Sequence, residues 1–541
     1  MLISYPLTLL QTPQFSPTNL FSYTLTLQTL SAIVTLITAY YLYRYITISS
    51  PRRRFAASKG CHPPPSFPAR DPFFGLDFFF ESIKAIRAHR ALENFTQKYW
   101  RSGKNTAKMN VFGKTIVTTI EPENIKQVLS LGFREWGIGG QRKKVMEPFL
   151  GEGIFTSDGA EWQHSRDMLR PAFVRTQVGD CEMFERHAEH LLQAIPRNGE
   201  IVDLQPLFSK LTLDIATEFL FGKSTDSLAP EGADSETQVF VACVDRAMVT
   251  LGAQEEGWAF WVAVMFGLFI QNWKLRHVYK TIHDYVDGII EKERLELEEE
   301  KKQDSIGQDE KKPYIFLHSL LSQTPNKLKI RSELLNILLA GRETTAALLS
   351  NLFFVLSSRP DIWTALQQEV STLNGALPSY TQLKEMKYLR AVLNESLRLH
   401  PVVPENARIA QVDTVLPTGG GEDGKAPIFV RKGELAHWSV YAMHRRRDFY
   451  GEDAEEFKPE RWIDSEERKG LRCGWEYLPF HGGPRICIGQ QFALTEASYI
   501  TVRLVQEFVG IESRDSEPWR EELSLICTSH GGCKVMLKPR I

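Results

Sequence analysis

The sequence predicts a mainly α-helical domain with small β-sheets, an α+β fold, preceded by one hydrophobic N-terminal helix. Three observations lead to this prediction. Long stretches with the apolar spacing of helices dominate the chain, among them 204–220, 272–300 and 331–356. Strand-like alternation is confined to short segments such as 108–119. Residues 1–43 contain no Asp, Glu, Lys or Arg, which is typical of a membrane segment.

The N-terminal region indicates a membrane anchor. By sequence, the chain divides into an uncharged N-terminus, an anchor, a basic and Pro-rich hinge and a main domain, at 1–20, 21–43, 44–70 and 71–541. As a helix, the anchor would extend roughly 34 Å, enough to cross a bilayer. Arg44 and then Arg52, Arg53 and Arg54 follow it, which places the main domain in the cytosol by the positive-inside rule. We expect a single pass through the endoplasmic reticulum membrane; a buried N-terminal helix is the alternative.

Composition excludes several classes of protein. The 541 residues are 43% hydrophobic and carry a net charge of -2, without a strongly basic domain, so nucleic acid is not an expected partner. The seven cysteines are scattered, odd in number and free of Cys-x-x-Cys pairs. This pattern argues against a disulfide framework or a structural zinc site and favours a reducing compartment.

Further elements follow along the chain. We predict a helix over 85–100, two strands over 108–119 with a turn at Gly113, a long Gly-rich loop over 132–153, a turn at 157–159, and helices from near Ala160 and over 237–251, 388–399 and 490–509. The apolar run Trp258–Ile270 is too short to span a membrane. It is either buried core or a second contact with the membrane surface.

One stretch near the C-terminus concentrates unusual residues around Cys487. It reads Phe480-His481-Gly482-Gly483-Pro484-Arg485-Ile486-Cys487-Ile488-Gly489, with glycines that allow close approach of the backbone. A thiolate that binds haem iron needs backbone N–H donors near the sulfur and a dry surrounding wall. The helix predicted from Gln490 would place its positive end near the sulfur, and Arg485 could reach an anionic group. A buried free cysteine in a Gly-rich loop is the alternative.

This stretch resembles the haem-binding signature of the cytochrome P450 superfamily, Phe-x-x-Gly-x-Arg-x-Cys-x-Gly. The match includes every fixed position, namely Phe480, Gly483, Arg485, Cys487 and Gly489. The resemblance extends over essentially the whole chain and implies the cytochrome P450 fold. It also implies haem b as the cofactor, with Cys487 as the ligand of the iron, Phe480 beside the haem and Arg485 on a haem propionate.

Three further residues, a Trp–Arg pair and a separate Arg, resemble the family's propionate contacts. Trp162 and Arg166 are four residues apart, and therefore lie on one face of the predicted helix. In the family, a Trp-x-x-x-Arg pair at this point contacts a propionate, and both side chains are suitable donors to a carboxylate. Arg408 resembles the third propionate contact. Without the resemblance, a stacked Trp–Arg pair on the surface would be the simpler interpretation.

The predicted helix over 331–356 contains Ala340-Gly341-Arg342-Glu343-Thr344-Thr345. Glycine inside a helix costs about 1 kcal/mol relative to Ala, and a Thr at 344 can bond the carbonyl of Ala340 and open the helix locally. The segment resembles the family's Ala-Gly-x-Glu/Asp-Thr-Thr sequence. The resemblance implies that Thr344 and Glu343 support oxygen activation and proton delivery, with Ala340 and Gly341 against the haem. An ordinary helix with a polar end is the alternative.

A third pattern is structural. Glu395 and Arg398 are three residues apart on a predicted helix, and Pro459-Glu460-Arg461 follows downstream. Together they resemble the family's Glu-x-x-Arg and Pro-Glu-Arg elements. The resemblance implies a buried network of Glu395, Arg398 and Arg461 that holds the cysteine loop and takes no part in the chemistry.

Other segments resemble the fungal group that hydroxylates n-alkanes and fatty acids. They are 60–64, 71–77, 121–126 and 158–166. One departure is Glu343, where that group more often has Asp, so the acid is kept while nearby substrate contacts can differ. Such an enzyme needs a long apolar channel, for which we expect the lining residues Ile337, Ala340, Val402, Val403, Leu525 and Ile526.

The leading hypothesis is a membrane-bound haem-thiolate monooxygenase that acts at the end of an aliphatic chain, an n-alkane or a fatty acid. No flavin or iron–sulfur sequence is recognisable, so electrons would come from a separate NADPH-dependent reductase. Arg445–Arg447 would serve its docking or form a solvated surface. A tailoring oxidase of a specialised metabolite is the alternative within enzymes. A haem-binding sensor or electron carrier is the alternative outside them, and Glu343 with Thr344 argues against it.

Overall fold

The computed structural model describes residues 17–71, 74–111, 114–173, 179–229, 232–252, 273–303, 315–466 and 469–540. The turn predicted at Gly113 and the run Trp258–Ile270 lie outside them. The chain separates into two compact units, one that ends at His62 and one that begins at Pro63.

Helices dominate the described residues, as predicted. The α-helices are α1 Pro17–Arg44, α2 Ser50–Ser58, α3 Leu76–Arg87, α4 Ala91–Ser102, α5 Pro122–Lys126, α6 Gly140–Leu150, α7 Gly159–Leu169, α8 Cys181–Ala194, α9 Leu204–Phe221, α10 Ser235–Gly252, α11 Trp273–Gln303, α12 Phe316–Gln323, α13 Lys327–Leu356, α14 Pro360–Ser371, α15 Tyr380–Glu385, α16 Lys387–Leu399, α17 Val440–Met443, α18 Arg447–Tyr450 and α19 Gln490–Glu507. Short π- or 3₁₀-helical turns lie at Tyr45–Ser49, Gln127–Leu131, Phe133–Glu135, Arg170–Phe173, Pro459–Trp462 and Gly483–Arg485.

Within the described residues, the strands are short and form four small sheets. They are β1 Thr106–Val111, β2 Lys114–Thr119, β3 Trp136–Gly137, β4 Val202–Asp203, β5 Glu405–Ala410, β6 Thr414–Gly420, β7 Ala426–Val430, β8 Leu435–Ser439, β9 Phe508–Ser513, β10 Glu521–Leu523, β11 Cys527–Ser529 and β12 Lys534–Pro539. The largest sheet has the order β1-β2-β8-β5-β3, and the next has the order β4-β12-β9. The antiparallel pair predicted over 108–119 is β1 with β2.

The long helix α13 forms the centre of the core. Its side chains are buried around most of its circumference, including Leu334, Leu338, Leu349 and Leu352. A helix that is apolar on all sides is stable only when other elements surround it. Helix α9 packs against α13, and α16 and α19 also contact it. The segment with Gly341 and Thr344 therefore lies inside the molecule.

The helix predicted over 85–100 is wrong as a single element. The structure has α3 and α4 instead, because His89 adopts a left-handed backbone conformation with a φ of 52°. The sequence 88–90 contains no Gly or Pro, so nothing local indicates the break. The break coincides with a tertiary contact, since Nδ1 of His89 lies 3.2 Å from the carbonyl oxygen of Glu521.

The long loop predicted over 132–153 is also wrong. Its central part forms helix α6, with β3 just before it. The glycines lie at the ends of this helix: Gly139 precedes it with a φ of 82°, and Gly151 follows it with a φ of 64°. Positive φ is easily adopted by Gly, so these residues bound a helix and do not dissolve it.

Helix α1 includes the whole segment 21–43. No helix within the described residues combines the length and the apolar character that are needed to cross a membrane.

Candidate active site

The cysteine loop is fixed by backbone contacts. The N–H of Cys487 donates to the carbonyl oxygen of Phe480 at 3.0 Å, which closes the loop. Gly483 has a φ of 67°, and a Cβ there would lie 2.0 Å from the carbonyl oxygen of Leu129. Only glycine can therefore occupy this position without moving the backbone. Gly489 caps α19 and presents its N–H to the sulfur.

The thiol of Cys487 is free and lines a cavity of about 660 Å³. Burial raises its pKa, whereas the N–H of Gly489 and the charge of Arg166 act to lower it. The raised pKa means that these two groups do not compensate a thiolate fully. A bound metal ion would supply the missing positive charge, so the surroundings of the sulfur fit a thiolate that ligates iron.

Every residue predicted to bind the cofactor, act in catalysis or line the channel borders this same cavity. These residues are Trp162, Arg166, Ile337, Ala340, Gly341, Glu343, Thr344, Val402, Val403, Arg408, Phe480, Arg485, Cys487, Leu525 and Ile526. Their individual roles remain predictions. The structural residues Glu395, Arg398 and Arg461 lie elsewhere, as described below.

Buried cations converge on one side of the cavity. Burial and the neighbouring charges of Arg142 and Arg485 lower the pKa of Arg408 to about 9. Burial lowers the pKa of Arg485 to about 10, although Asp158 opposes the shift. Arg485 donates to Oδ1 of Asp158 at 2.6 Å and lies over the ring of Trp162 at 4.5 Å. A cluster of cations with this carboxylate beside it fits a dianion, as the two propionates of haem would be.

Arg166 and Trp162 each make a contact of their own besides lying on one face of α7. Arg166 donates from Nη1 to the carbonyl oxygen of Ile486 at 3.0 Å, so it supports the cysteine loop directly. Trp162 is buried beneath Arg485. Both side chains border the cavity, which is compatible with the predicted propionate contacts.

Sequence reasoning missed three residues of this region. Arg142 borders the cavity from α6, which was expected to be a loop. Asp158 lies in the predicted turn and in the segment 158–166, but its contact with Arg485 is not predicted. His481 has a φ of 66°, and its Nε2 accepts from Nη2 of Arg408 at 3.2 Å. Burial, with the charge of Arg408, lowers the pKa of His481 to about 3, so the ring stays neutral and can accept this bond.

Helix α13 runs without interruption through the segment that was predicted to open. The hydroxyl of Thr344 donates to the carbonyl oxygen of Ala340 at 2.6 Å, which is the predicted side-chain bond. Burial raises the pKa of Glu343, although Arg342 opposes the shift. Nη1 of Arg342 lies 3.0 Å from Oε1 of Glu343, and its Nη2 pairs with Asp245 of α10. This part of α13 thus holds a hydroxyl group and a carboxyl group whose pKa is raised by burial, as a proton-delivery role would use.

A second buried carboxyl group links α13 to α19. Glu496 is almost fully buried, and burial raises its pKa to about 8, while a hydrogen bond with Thr345 opposes the shift. Thr345 is the neighbour of Thr344, and Glu496 lies on the helix that follows Cys487. No local pattern indicates this contact, because an acid within an apolar helix is normally solvent-exposed.

The predicted network of Glu395, Arg398 and Arg461 is present. Nε of Arg398 and Nε of Arg461 donate to the two carboxylate oxygens of Glu395 at 2.9 and 2.8 Å. Burial opposes the charge of Glu395, but the hydrogen bonds from Arg398 and the charges of both arginines keep its pKa below the usual value. The network joins α16 to the segment that precedes the cysteine loop.

The docking surface expected at Arg445–Arg447 is wrong for two of its three residues. Arg445 is buried and pairs with Glu455, and Arg446 is buried and pairs with Glu121 and Asp448. Their guanidinium groups satisfy buried polar atoms, so they are not free to contact a partner.

A free cysteine that faces an apolar cavity and a cluster of cations suited to a dianion fit a haem-thiolate protein, and Thr344 with Glu343 beside the cavity fits one that activates oxygen. The family model for cytochrome P450 matches residues 64–532, so the chain belongs to the cytochrome P450 family and is a cytochrome P450 monooxygenase. Membership in this family implies a haem whose iron is bound by a cysteine thiolate. The bound haem would supply the oxygen chemistry, while the residues described here would hold it.

Relatives from fungi are similar over most of the chain. The cytochrome P450 monooxygenase himC of Aspergillus japonicus is 42% identical over 94% of this chain and 89% of its own. Cytochrome P450 52A12 of Debaryomyces hansenii is 38% identical over 93% of this chain and 96% of its own. Among solved structures, the haem domain of cytochrome P450DA aligns with a TM-score of 0.69 and 22% identity, over 89% of this chain and 98% of that one. This last similarity shows the shared fold.

Proposed function

We propose that the protein hydroxylates the terminal carbon of an aliphatic chain, an n-alkane or a fatty acid. The observation that supports this proposal most directly is the apolar wall of the cavity that contains Cys487. All six residues expected to line an apolar channel border this cavity. Transfer of an aliphatic chain from water to such a surface is favourable. The chain has no polar group by which the protein could orient it. The resemblance to the fungal n-alkane and fatty-acid hydroxylase group supports the same substrate class.

The pair of Arg342 and Asp245 bears on how a fatty acid would bind. Both residues border the cavity, and Arg342 is buried. Arg342 directly precedes Glu343 and Thr344 on α13, so a carboxylate bound there would bring the carboxyl end of a fatty acid towards the reacting centre. Because Asp245 and Glu343 already neutralise Arg342, the site does not favour that orientation. The methyl end is then free to approach the haem.

The same pair favours a second candidate function. A tailoring oxidase of a specialised metabolite would act on a substrate with polar groups, and Arg342 with Asp245 offers both a donor and an acceptor inside an otherwise apolar cavity. A substrate that bonds both side chains would be oriented by them. This candidate makes Asp245 important for turnover, whereas the alkane proposal does not.

The test uses microsomes that contain the protein and an NADPH-dependent reductase. A medium-chain n-alkane and the matching fatty acid are supplied, and mass spectrometry locates the new hydroxyl group. We expect a terminal alcohol from at least one substrate, at a similar rate in the Asp245→Asn variant when the alkane is used. Absence of product from both, with an intact thiolate spectrum, would reject the aliphatic proposal in favour of the tailoring role.

We further propose that electrons come from this separate reductase. Family membership supports this proposal, because cytochromes P450 typically receive electrons from a redox partner. Omission of the reductase from the assay should abolish turnover with NADPH, and turnover that persists without it would contradict the proposal.

We also propose that α1 attaches the protein to the endoplasmic reticulum membrane with the catalytic domain in the cytosol. Large apolar side chains of α1 are exposed, including Leu27, Leu30, Ile33 and Leu36. Burial of these side chains in lipid would remove apolar surface from water. Extraction with alkaline carbonate tests the proposal: the full chain should stay with the membrane, and deletion of residues 1–62 should release it. Release of the full chain would contradict attachment through α1.

A further inference from the structure

A second cluster of potential ligands lies outside the cavity, where the break between α3 and α4 meets the hairpin of β10 and β11. His89 occupies the break, Glu522 lies on β10 and His530 directly follows β11. Glu522 is opposite Thr528 in the hairpin, so His530, two residues further, is a diagonal neighbour on the same face. The fold therefore brings together two imidazoles and a carboxylate from distant parts of the chain.

The three side chains converge on a small volume. Nδ1 of His89 and Nδ1 of His530 lie 3.3 and 2.5 Å from the same carboxylate oxygen, Oε2 of Glu522. The two imidazole rings are stacked, with centroids 3.4 Å apart and planes inclined by 21°. One potential ligand atom of each side chain lies within 4.8 Å of the other two. Around a tetrahedral zinc ion, with bonds of about 2.0–2.1 Å, neighbouring ligand atoms are about 3.3 Å apart. The stacked rings would have to turn towards each other for both Nδ1 atoms to face one ion.

We propose that His89, Glu522 and His530 bind a transition-metal ion of the Zn²⁺ type. Two imidazole nitrogens with one carboxylate oxygen form a ligand set that suits Zn²⁺ and related ions, whereas Mg²⁺ and Ca²⁺ prefer oxygen ligands throughout. The carbonyl oxygen of Glu521, 3.2 Å from Nδ1 of His89, is placed to act as a fourth ligand.

Without an ion, neutral imidazoles that carry their proton on Nδ1 would donate to the carbonyl oxygen of Glu521 and to Oε2 of Glu522. A metal ion binds both rings in their neutral state and neutralises the carboxylate as well. The site is also reachable, since the side chains of His530, His89 and Glu522 are 49%, 26% and 22% exposed.

Occupancy of the site would restrain one wall of the cavity. The tip of the β10–β11 hairpin supplies Leu525 and Ile526 to the cavity, and the proposed ligands lie at the base of the same hairpin. A hydrogen bond at 3.1 Å, from the N–H of Leu92 to Oε1 of Glu521, already joins the hairpin to α4. An ion at His89 would add a second and stronger link between the same elements.

Equilibrium dialysis of the haem-loaded full chain tests the site. The protein is prepared without a polyhistidine tag and dialysed against about 10 µM Zn²⁺, a concentration well above the dissociation constants usual for such ligand sets. Zinc is then counted per haem iron by mass spectrometry. The variants are His530→Gln and Glu522→Gln, and the control is His277→Gln, which removes an exposed imidazole of α11 that lies outside the cluster.

We expect one zinc ion per iron more in the unmodified protein and in His277→Gln than in the two cluster variants. Zn²⁺ should also raise the Tm of the first two proteins and leave the Tm of His530→Gln unchanged, because an ion that binds only the folded state stabilises it. The carbon monoxide spectrum of the ferrous protein verifies that each variant is folded. Equal zinc uptake by the unmodified protein and His530→Gln, or no uptake up to about 100 µM Zn²⁺, would show a hydrogen-bonded cluster without a metal and overturn the proposal.

Discussion

Replacement of Glu395 by Gln is expected to destabilise the protein far more than the loss of an ordinary ion pair. The carboxylate is fully buried and accepts five hydrogen bonds, from Nε and Nη2 of Arg398, Nε of Arg461, the N–H of Lys458 and Nε1 of Trp462. Glutamine keeps the size of the side chain but removes its charge, and its NH₂ group faces donors. Arg398 would then lack a buried counter-charge, while Arg461 would retain only Asp453, 3.3 Å away. Removal of one partner from a buried ion network typically costs about 3–5 kcal/mol.

Urea unfolding of the haem-loaded protein, followed through its carbon monoxide spectrum, measures this effect. The matched control is Glu452→Gln, since Glu452 pairs with Arg447 at 2.9 Å and the two side chains are 87% and 67% exposed. An exposed pair contributes about 0–1 kcal/mol, so the control should unfold almost as the unmodified protein does. If Glu395→Gln lost no more than the control, the reasoning from burial and charge would be refuted.

Three further predictions concern the active site. Cys487→Ala should abolish the thiolate band of the carbon monoxide spectrum, because no other thiolate ligand is expected; a retained band would exclude Cys487 as the ligand. Thr344→Ala should keep the haem but raise the NADPH consumed per product formed, since the hydroxyl of Thr344 lies beside the cavity on α13. An unchanged ratio of NADPH consumed to product formed would contradict a role of Thr344 in proton delivery. Burial raises the pKa of Glu496 from 4.5 to about 8, so the folded state holds a proton that the unfolded state releases. Stability should therefore fall as the pH rises from 4.5 to about 8, and Glu496→Gln should remove that slope and gain a few kcal/mol at pH 8; an unchanged slope would refute the assignment.

Local sequence patterns predicted much of the fold. Helices α9, α10, α11 and α16 lie close to their predicted bounds, because apolar spacing and flanking Gly, Pro or Asp residues act within a few residues of one another. The glycine-rich segment before α7 shows the limit of this reasoning. Its glycines read as a loop, yet they cap α6, since the sequence does not reveal whether a positive φ ends a helix or continues a loop.

The candidate site was predictable where its residues form a continuous pattern and hidden where they depend on distant contacts. The cysteine loop and the segment 340–345 of α13 were both identified from short stretches of sequence. Asp158 was not, because its contact with Arg485 joins residues 327 positions apart. The same holds for Glu496 beside Thr345 and for the left-handed His89, whose surroundings come from other elements of the fold.

The wall of the cavity is formed by residues between positions 129 and 526, and this separation has a consequence for the biogenesis of the protein. Its wall includes Leu129, near the first sheet, and Ile526, in the last hairpin. Strand β12 also pairs with β4, which joins Val535 to Val202. The hairpin is translated after the parts of the wall that precede it, so the cavity cannot close before the hairpin has left the ribosome. A chain halted before the hairpin would expose the apolar wall to chaperones and proteases.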